Sequence, residues 1–202
     1  GTYAIAAIGF QLVFGRLGLL ALSQGALFAI GAYALALATV RWGWPPLAGL
    51  GLSIVVPALA GALVAIPIAR LQSHYVALAT LGLAQLVLLA VTNLEITGGA
   101  NGLYGIPPLT VLGLDLSDGW RLFAVVWVGV ALALAVFGWV TASGRAARLA
   151  TLRDAPLAAV ALGLDPVGAR LLVFTVAGAL AGFAGGFRSD TEVTSPACTS
   201  RR

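Results

Sequence analysis

Charged residues are so sparse along this chain that they divide it into long neutral intervals. Arg16 to Arg41 encloses 24 residues without a charge, Arg41 to Arg70 encloses 28, and Arg70 to Glu95 encloses 24. Farther on, Arg121 to Arg145 encloses 23 and Arg170 to Arg188 encloses 17. A helix crossing the hydrocarbon core needs about 20 residues, within a range of about 17 to 25. The intervals therefore predict spans at 22–40, 47–67, 73–93, 120–141 and 168–187. Residues 2–14 form a sixth apolar stretch, too short to cross alone, which reads as a half-helix or as the end of a longer span. The predicted fold class is all-α: a polytopic transmembrane helix bundle of about five full spans plus a part-span.

Breaker residues refine this picture. Trp42, Trp44, Pro45 and Pro46 make a rigid aromatic turn between two spans, at the depth where indole rings meet headgroups. Pro57 lies inside 47–67 and is expected to kink it, which bilayer helices tolerate when neighbours satisfy the freed carbonyl. In the last span Gly178, Gly182 and Gly186 recur every four residues beside Ala177, Ala181 and Gly185, a stripe that lets helix backbones approach closely.

Composition then excludes whole classes. Sixty per cent of the 202 residues are hydrophobic and 9% are charged, with a mean hydropathy of +1.03, whereas a soluble domain carries about 25% charged residues. All eleven basic residues are Arg, and a net charge of +4 spread over so apolar a chain is no nucleic-acid footprint. The single Cys198 rules out an internal disulfide and a CxxC site. The start of the chain lacks the charges and cleavage pattern of a signal peptide. No Walker-type phosphate loop is present, so nucleotide energy, if used, enters through another chain. Every acid lies in a loop or the tail, which argues against a proton relay. The only His, His74, follows Ser73, but adjacent residues on a helix do not face each other. An intramembrane hydrolase is therefore unsupported, and so is a stand-alone channel.

Charge asymmetry orients the bundle. Segment 142–170 carries Arg145, Arg148, Arg153 and Arg170 against Asp154 and Asp165, whereas 94–119 carries Glu95, Asp115 and Asp118 without a basic residue. The positive-inside rule places 142–170 in the cytoplasm and 94–119 outside. The external loop is 26 residues long, with six Gly and two Pro, and loops of that length are usually functional or disordered. In it, Thr97, Gly98, Gly99, Ala100, Asn101 and Gly102 can bring backbone N–H groups to a small solute or a docking protein; a plain turn-rich connector is the alternative. In the cytoplasmic segment, Asp154 and Pro156 predict a helix start and Gly163 its end. Leu157, Val160, Ala161 and Leu164 share one face of that short helix, which an Arg-rich approach precedes. Such a helix binds lipid headgroups or enters a groove on a partner. Asp165 and Pro166 then start the last span.

These residues carry a family resemblance. Leu157-Ala158-Ala159, with Gly163 four residues on, is similar to the EAAxxxG signature of ABC importer permeases. More specifically, Ser143 to Asp154 followed by Ala158 to Gly163 resembles the GRALRAIREDE–AA–ALG run of the branched-chain amino acid permeases, and Ala181 to Gly185 resembles the AGLAG ending of their next helix. Thr97 to Leu103 with Gly105 to Pro108 looks like their TGGxNGLxGIPP loop, and Leu20 to Ala26 with Gly31 to Tyr33 like their LSLGxAAFFGIGAY segment. The chain thus resembles the M-type permease subunit of a branched-chain amino acid ABC importer.

The resemblance implies a multi-pass protein of a bacterial or archaeal cytoplasmic membrane, in contact with lipid and not with nucleic acid. It would pair with a second, related permease, two ATPase subunits and a periplasmic or extracellular amino-acid-binding protein. It would be no enzyme and hold no cofactor, because ATP is bound by the partner subunits. The short cytoplasmic helix becomes a coupling helix, with Arg145, Arg148, Arg153, Asp154, Leu157, Ala158, Ala159 and Gly163 as its ATPase-coupling residues. Ser23, Gln24, Tyr33, Thr97, Gly98, Gly99 and Asn101 are the candidates for the substrate pathway, with the alternative that Ser23 and Gln24 merely satisfy neighbouring helix backbones. Urea, amide or nucleoside permeases of the same superfamily are the second reading, since such motifs fix architecture better than substrate. Leu157 stands where the signature has an acid, and Pro156 where a Glu is usual. Family members continue through further membrane helices, whereas residues 188–202 are polar, with six Ser or Thr and five charges. One permease domain is therefore expected over 1–187, with the coupling segment at 142–167. A disordered tail, foreign to the family and the product of a truncation, is expected over 188–202.

Overall fold

The computed structural model describes residues 1–19, 21–68, 73–93, 110–111, 114–115, 119–142, 144–154, 159, 161–163 and 165–193. Seven helices run through the described residues: α1 (Thr2–Leu17), α2 (Gln24–Val40), α3 (Pro46–Ile68), α4 (Ser73–Asn93), α5 (Gly119–Thr141), α6 (Arg145–Asp154) and α7 (Pro166–Val193). Between α4 and α5 the backbone makes one two-residue antiparallel ladder, β1 (Thr110–Val111) with β2 (Leu114–Asp115), in the register Thr110 to Asp115. The chain is an all-α membrane bundle. Four of its helices, α3, α4, α5 and α7, are long and apolar enough to cross a bilayer. The predicted span at 22–40 becomes the 17-residue α2, about 25 Å at 1.5 Å per residue and so at the lower limit for crossing. The predicted part-span becomes the 16-residue α1, which includes Arg16 and ends where Gly18 turns left-handed at φ 65.

The packing is centred on α7. Gln24, Gly31 and Leu35 of α2 meet Ala177, Gly182 and Gly186 in ascending order, so α2 runs parallel to α7. Ser53, Pro57 and Gly61 of α3 meet Gly182, Gly178 and Phe174 in descending order, so α3 runs antiparallel, as does α1. Small residues make this possible. A Cβ added to Gly182 would overlap the Ser53 carbonyl and the Pro57 ring, while Gly31 presses the same glycine from the α2 side. The α3 helix continues through Pro57, and the carbonyl that Pro57 leaves without an amide partner, that of Ser53, lies against Gly182. The expected stripe of small residues is the seam that joins three helices.

One end of the bundle gathers the arginines. Arg170 of α7 donates to the Ile68 carbonyl at 3.5 Å, Arg153 of α6 donates to the Gly15 carbonyl at 2.7 Å, and Arg16 lies 5.7 Å over the Phe137 ring. At the opposite end Arg188 donates to the Tyr3 hydroxyl at 2.6 Å and lies over its ring, and Trp42 packs on Trp44.

Two expectations are corrected. The Arg-rich approach to the coupling segment is itself a helix, α6, whose last residue is Asp154; the expected start of the next helix at Pro156 lies outside the described residues. Ala146, Ala147, Leu149, Ala150 and Leu152 are strong helix formers, and Leu149 is buried, so the run folds on the bundle. The polar tail expected from residue 188 begins as helix, since α7 continues to Val193. Extending an existing helix gains one hydrogen bond per residue fixed, so polarity alone does not stop it.

Candidate functional site

The most unusual local structure is the connection between α1 and α2. Gly18 caps α1, its N–H donating to the Phe14 carbonyl at 3.1 Å. The chain then passes through Leu19 and Ala21, both buried, without regular structure. Non-helical backbone at membrane depth needs internal partners, and one is visible: the Leu22 N–H donates to Thr80 Oγ1 of α4 at 3.1 Å. Thr80 itself donates to the Ala77 carbonyl. Thr80 and Gln85 are the two polar side chains in the middle of α4, and that was the available signal for this role, which the sequence reading missed.

The α2 helix begins at Gln24, whose Nε2 donates to the Ala177 carbonyl of α7 at 3.2 Å. Ala177 is the midpoint of the 23-residue apolar stretch Pro166–Arg188, about 17 Å from either end by helix rise. The N-terminus of α2 therefore lies at the middle of the bundle. Gly9 of α1 makes room for this bond, since a Cβ there would lie 2.7 Å from Gln24 Nε2.

Ser23 occupies the N-cap. It is 1% exposed, adopts φ −73 and ψ −4, and makes no side-chain cap hydrogen bond. Its Oγ finds no hydrogen-bond partner among the described residues. The two residues proposed together from sequence thus separate: Gln24 satisfies a neighbouring backbone and Ser23 does not. Tyr33 is half-buried and ten residues farther along the chain, about 15 Å away by rise, so it is not brought to Ser23. Thr97, Gly98, Gly99 and Asn101 lie outside the described residues.

The second group of candidates is at the arginine-rich end. There α6, the end of α5 and the start of α7 enclose a groove of about 350 Å³, lined by Val140, Leu149, Leu152, Ala169 and Leu172 with Arg148 and Asp165 among them. Asp165 caps α7 as its sequence position predicts, accepting from the Val167 N–H at 2.9 Å and the Gly168 N–H at 3.0 Å. Arg153 is 3.9 Å from Asp154, but both side chains are exposed and the pair is weak. Its firmer contact is the Gly15 carbonyl, and its stem covers Gly18, so Arg153 ties α6 to the turn that precedes the α1–α2 break. Of Arg145 the backbone is described, opening α6. Ala159 is helical and buried, and Gly163 is left-handed at φ 75, as expected of a helix-ending glycine. Leu157 and Ala158 lie outside the described residues, as do the side chains of Ser73 and His74. No group of three His, Cys, Asp or Glu that could hold a metal occurs among the described residues.

Apolar spans packed through glycines, with one helix that starts midway along the bundle, define a multi-pass membrane protein. The chain belongs to the family of branched-chain amino acid transport system permease components, which it matches over residues 1–197. That match reaches well into the 188–202 segment that was expected to stand apart. The chain is 36% identical to the high-affinity branched-chain amino acid transport system permease protein LivM of Salmonella typhimurium, over 91% of this chain and 49% of that protein. It is 35% identical, with the same coverage, to the LivM of Escherichia coli strain K12. The chain thus spans about half the length of the curated relatives it matches. No solved structure matches it.

Proposed function

We propose that this chain forms part of the membrane-embedded permease subunit of an ABC importer for branched-chain or similar amino acids. The observation that carries the reading is the family match across residues 1–197, laid over a bundle that encloses a helix terminus and, among the described residues, buries no charged side chain. The arginine-rich end faces the cytoplasm by the positive-inside rule. There α6, Arg148 and the segment ending at Gly163 contact one of two ATPase subunits, which bind the ATP. A second, related permease completes the pathway, and a binding protein delivers the amino acid at the tryptophan end. Alternating access then moves between two packings of the bundle, biased by ATP binding and hydrolysis. Arg153 supplies a physical link for this coupling, because it joins α6 to the carbonyl of Gly15, just ahead of the mid-membrane break.

The test is uptake of radiolabelled leucine by the full transporter in proteoliposomes, with ATP supplied on the ATPase side. Gly163→Leu places a branched side chain at φ 75, a conformation that disfavours any Cβ. ATP-driven uptake is expected to fall at least about tenfold, matching the typical size of a coupling free energy, while the subunits still assemble. Unchanged uptake in this variant removes the coupling assignment. Transport of urea or a nucleoside, without leucine, overturns the substrate.

A further inference from the structure

Ser23 carries a buried hydroxyl with no hydrogen-bond partner among the described residues. Buried polar groups in folded proteins are nearly always hydrogen-bonded, and each exception needs a cause. An N-cap serine normally accepts from the N–H of the second or third helical residue. Ser23 does not, because it sits in the helical region, at φ −73 and ψ −4, with no cap hydrogen bond. The first-turn N–H groups of Gln24, Gly25 and Ala26 have no acceptor within the helix either, as at any helix start. An unpartnered hydroxyl and the amides of a helix start therefore lie together, behind a turn over Leu22 and Ser23.

We propose that the N-terminus of α2, through Ser23 Oγ and the N–H groups of its first turn, holds the carboxylate of the transported amino acid at the middle of the membrane. This inference rests on the reading of the chain as an amino-acid permease.

Three further observations support it. The first is depth: Gln24 is bonded to Ala177, the midpoint of the apolar stretch of α7, where an importer has to stabilise its cargo against loss of hydration. The second is access. Ser23 is buried, yet Gly25 is exposed, and among the described residues nothing lies within 4 Å of where its Cβ would be. The third is charge. The interval from Arg16 to Arg41 contains no ionised side chain, so the attraction for an anion comes from the helix terminus, equivalent to about half an elementary charge. A partial charge suits a ligand that must also leave. The side-chain amide of Gln24 is committed to Ala177, so it fixes the helix start instead of binding the ligand. The donors are thus held in place before the ligand arrives.

The experiment measures leucine uptake and thermal stability of the assembled transporter in proteoliposomes. Ser23→Ala removes a hydroxyl that has no partner among the described residues, so thermal stability is expected to stay equal or rise. Uptake is expected to fall about tenfold or more, the worth of one hydrogen bond to a charged group. Gly25→Asp tethers a carboxylate to the first turn, where space is open, and is expected to abolish uptake in a transporter that still assembles. Uptake by Ser23→Ala within about twofold of the unsubstituted transporter, or undiminished uptake by Gly25→Asp, overturns the carboxylate site and leaves the permease reading standing. Absence of leucine uptake by the unsubstituted transporter overturns the permease reading itself, and the carboxylate site with it.

Discussion

The α7 and α4 helices are almost equally apolar, with mean hydropathies of 1.8 and 2.0 over their spans, yet they hold opposite places in the bundle. Half of the α7 window is buried inside the chain, against 11% for α4. Hydropathy does not separate them; side-chain size does. The α7 sequence places Gly178, Gly182, Gly185 and Gly186 where α3 and α2 cross it, so backbones meet backbones. The α4 sequence presents Leu78, Leu81, Leu86, Leu88 and Leu89, all exposed, and buries only Val76 and Thr80 among its described side chains. In a bilayer, lipid tails are as apolar as leucine, so hydrophobicity inserts a helix but does not choose its neighbours. Close packing of small residues makes that choice, and it puts α7 at the centre.

A matched pair of glycines tests this most strongly. Gly182 of α7 is enclosed by Gly31, the Ser53 carbonyl and the Pro57 ring, whereas a Cβ on Gly82 of α4 meets nothing within 4 Å among the described residues. Gly182→Leu forces two helix backbones apart and is expected to cost more than about 4 kcal/mol, in the exceptional range for one substitution. Gly82→Leu is expected to stay within about 0.5 kcal/mol. The yield of monodisperse protein in detergent and its thermal midpoint distinguish the two. Similar behaviour of both variants would break the contrast between the helices.

The charges and glycines that drive this contrast were legible in the sequence. Neutral intervals between charges located α3, α4 and α5 to within two residues at each end, because a helix in hydrocarbon must continue until it reaches water. The stripe Gly178, Gly182 and Gly186 announced a close seam, and Asp165–Pro166 announced the start of α7. What stayed hidden depended on long-range partners. Nothing near Ser23 and Gln24 states that Gln24 finds Ala177 across the bundle while the Ser23 hydroxyl finds no partner among the described residues. Arg153 reads as a surface charge, and its bond to Gly15 is set by how α6 folds back on α1. The helical nature of α6 was obscured because its arginines suggested a solvated approach, when alanine and leucine between them favour helix.

The attachment of α4 gives the next, smaller effect. Thr80 Oγ1 accepts the Leu22 N–H at 3.1 Å and is fully buried, so α4 serves the α1–α2 break at this point although it packs little elsewhere. Thr80→Val keeps the shape and removes the acceptor. An amide left without a partner costs about 1–3 kcal/mol, and a loss in that range is expected in the thermal unfolding of the purified protein. Faster hydrogen exchange at Leu22, with α7 amides unaffected, would place the damage at the break. No measurable loss would mean that α4 is held by something other than this bond.

The outer face of α4 should give the smallest effect, and its size has a meaning beyond stability. Leu86 is 65% exposed within the chain. Truncating a leucine that faces lipid removes no protein contact, so Leu86→Ala is expected to change stability by less than about 0.5 kcal/mol. A buried leucine truncated in the same way costs about 2–5 kcal/mol, because a cavity remains. Measured on the purified chain in bicelles, the small value confirms that α4 is peripheral. Measured again in the assembled transporter, the same substitution reports what covers that face: an unchanged small value keeps Leu86 against lipid, and a rise towards the buried range puts a second protein against α4.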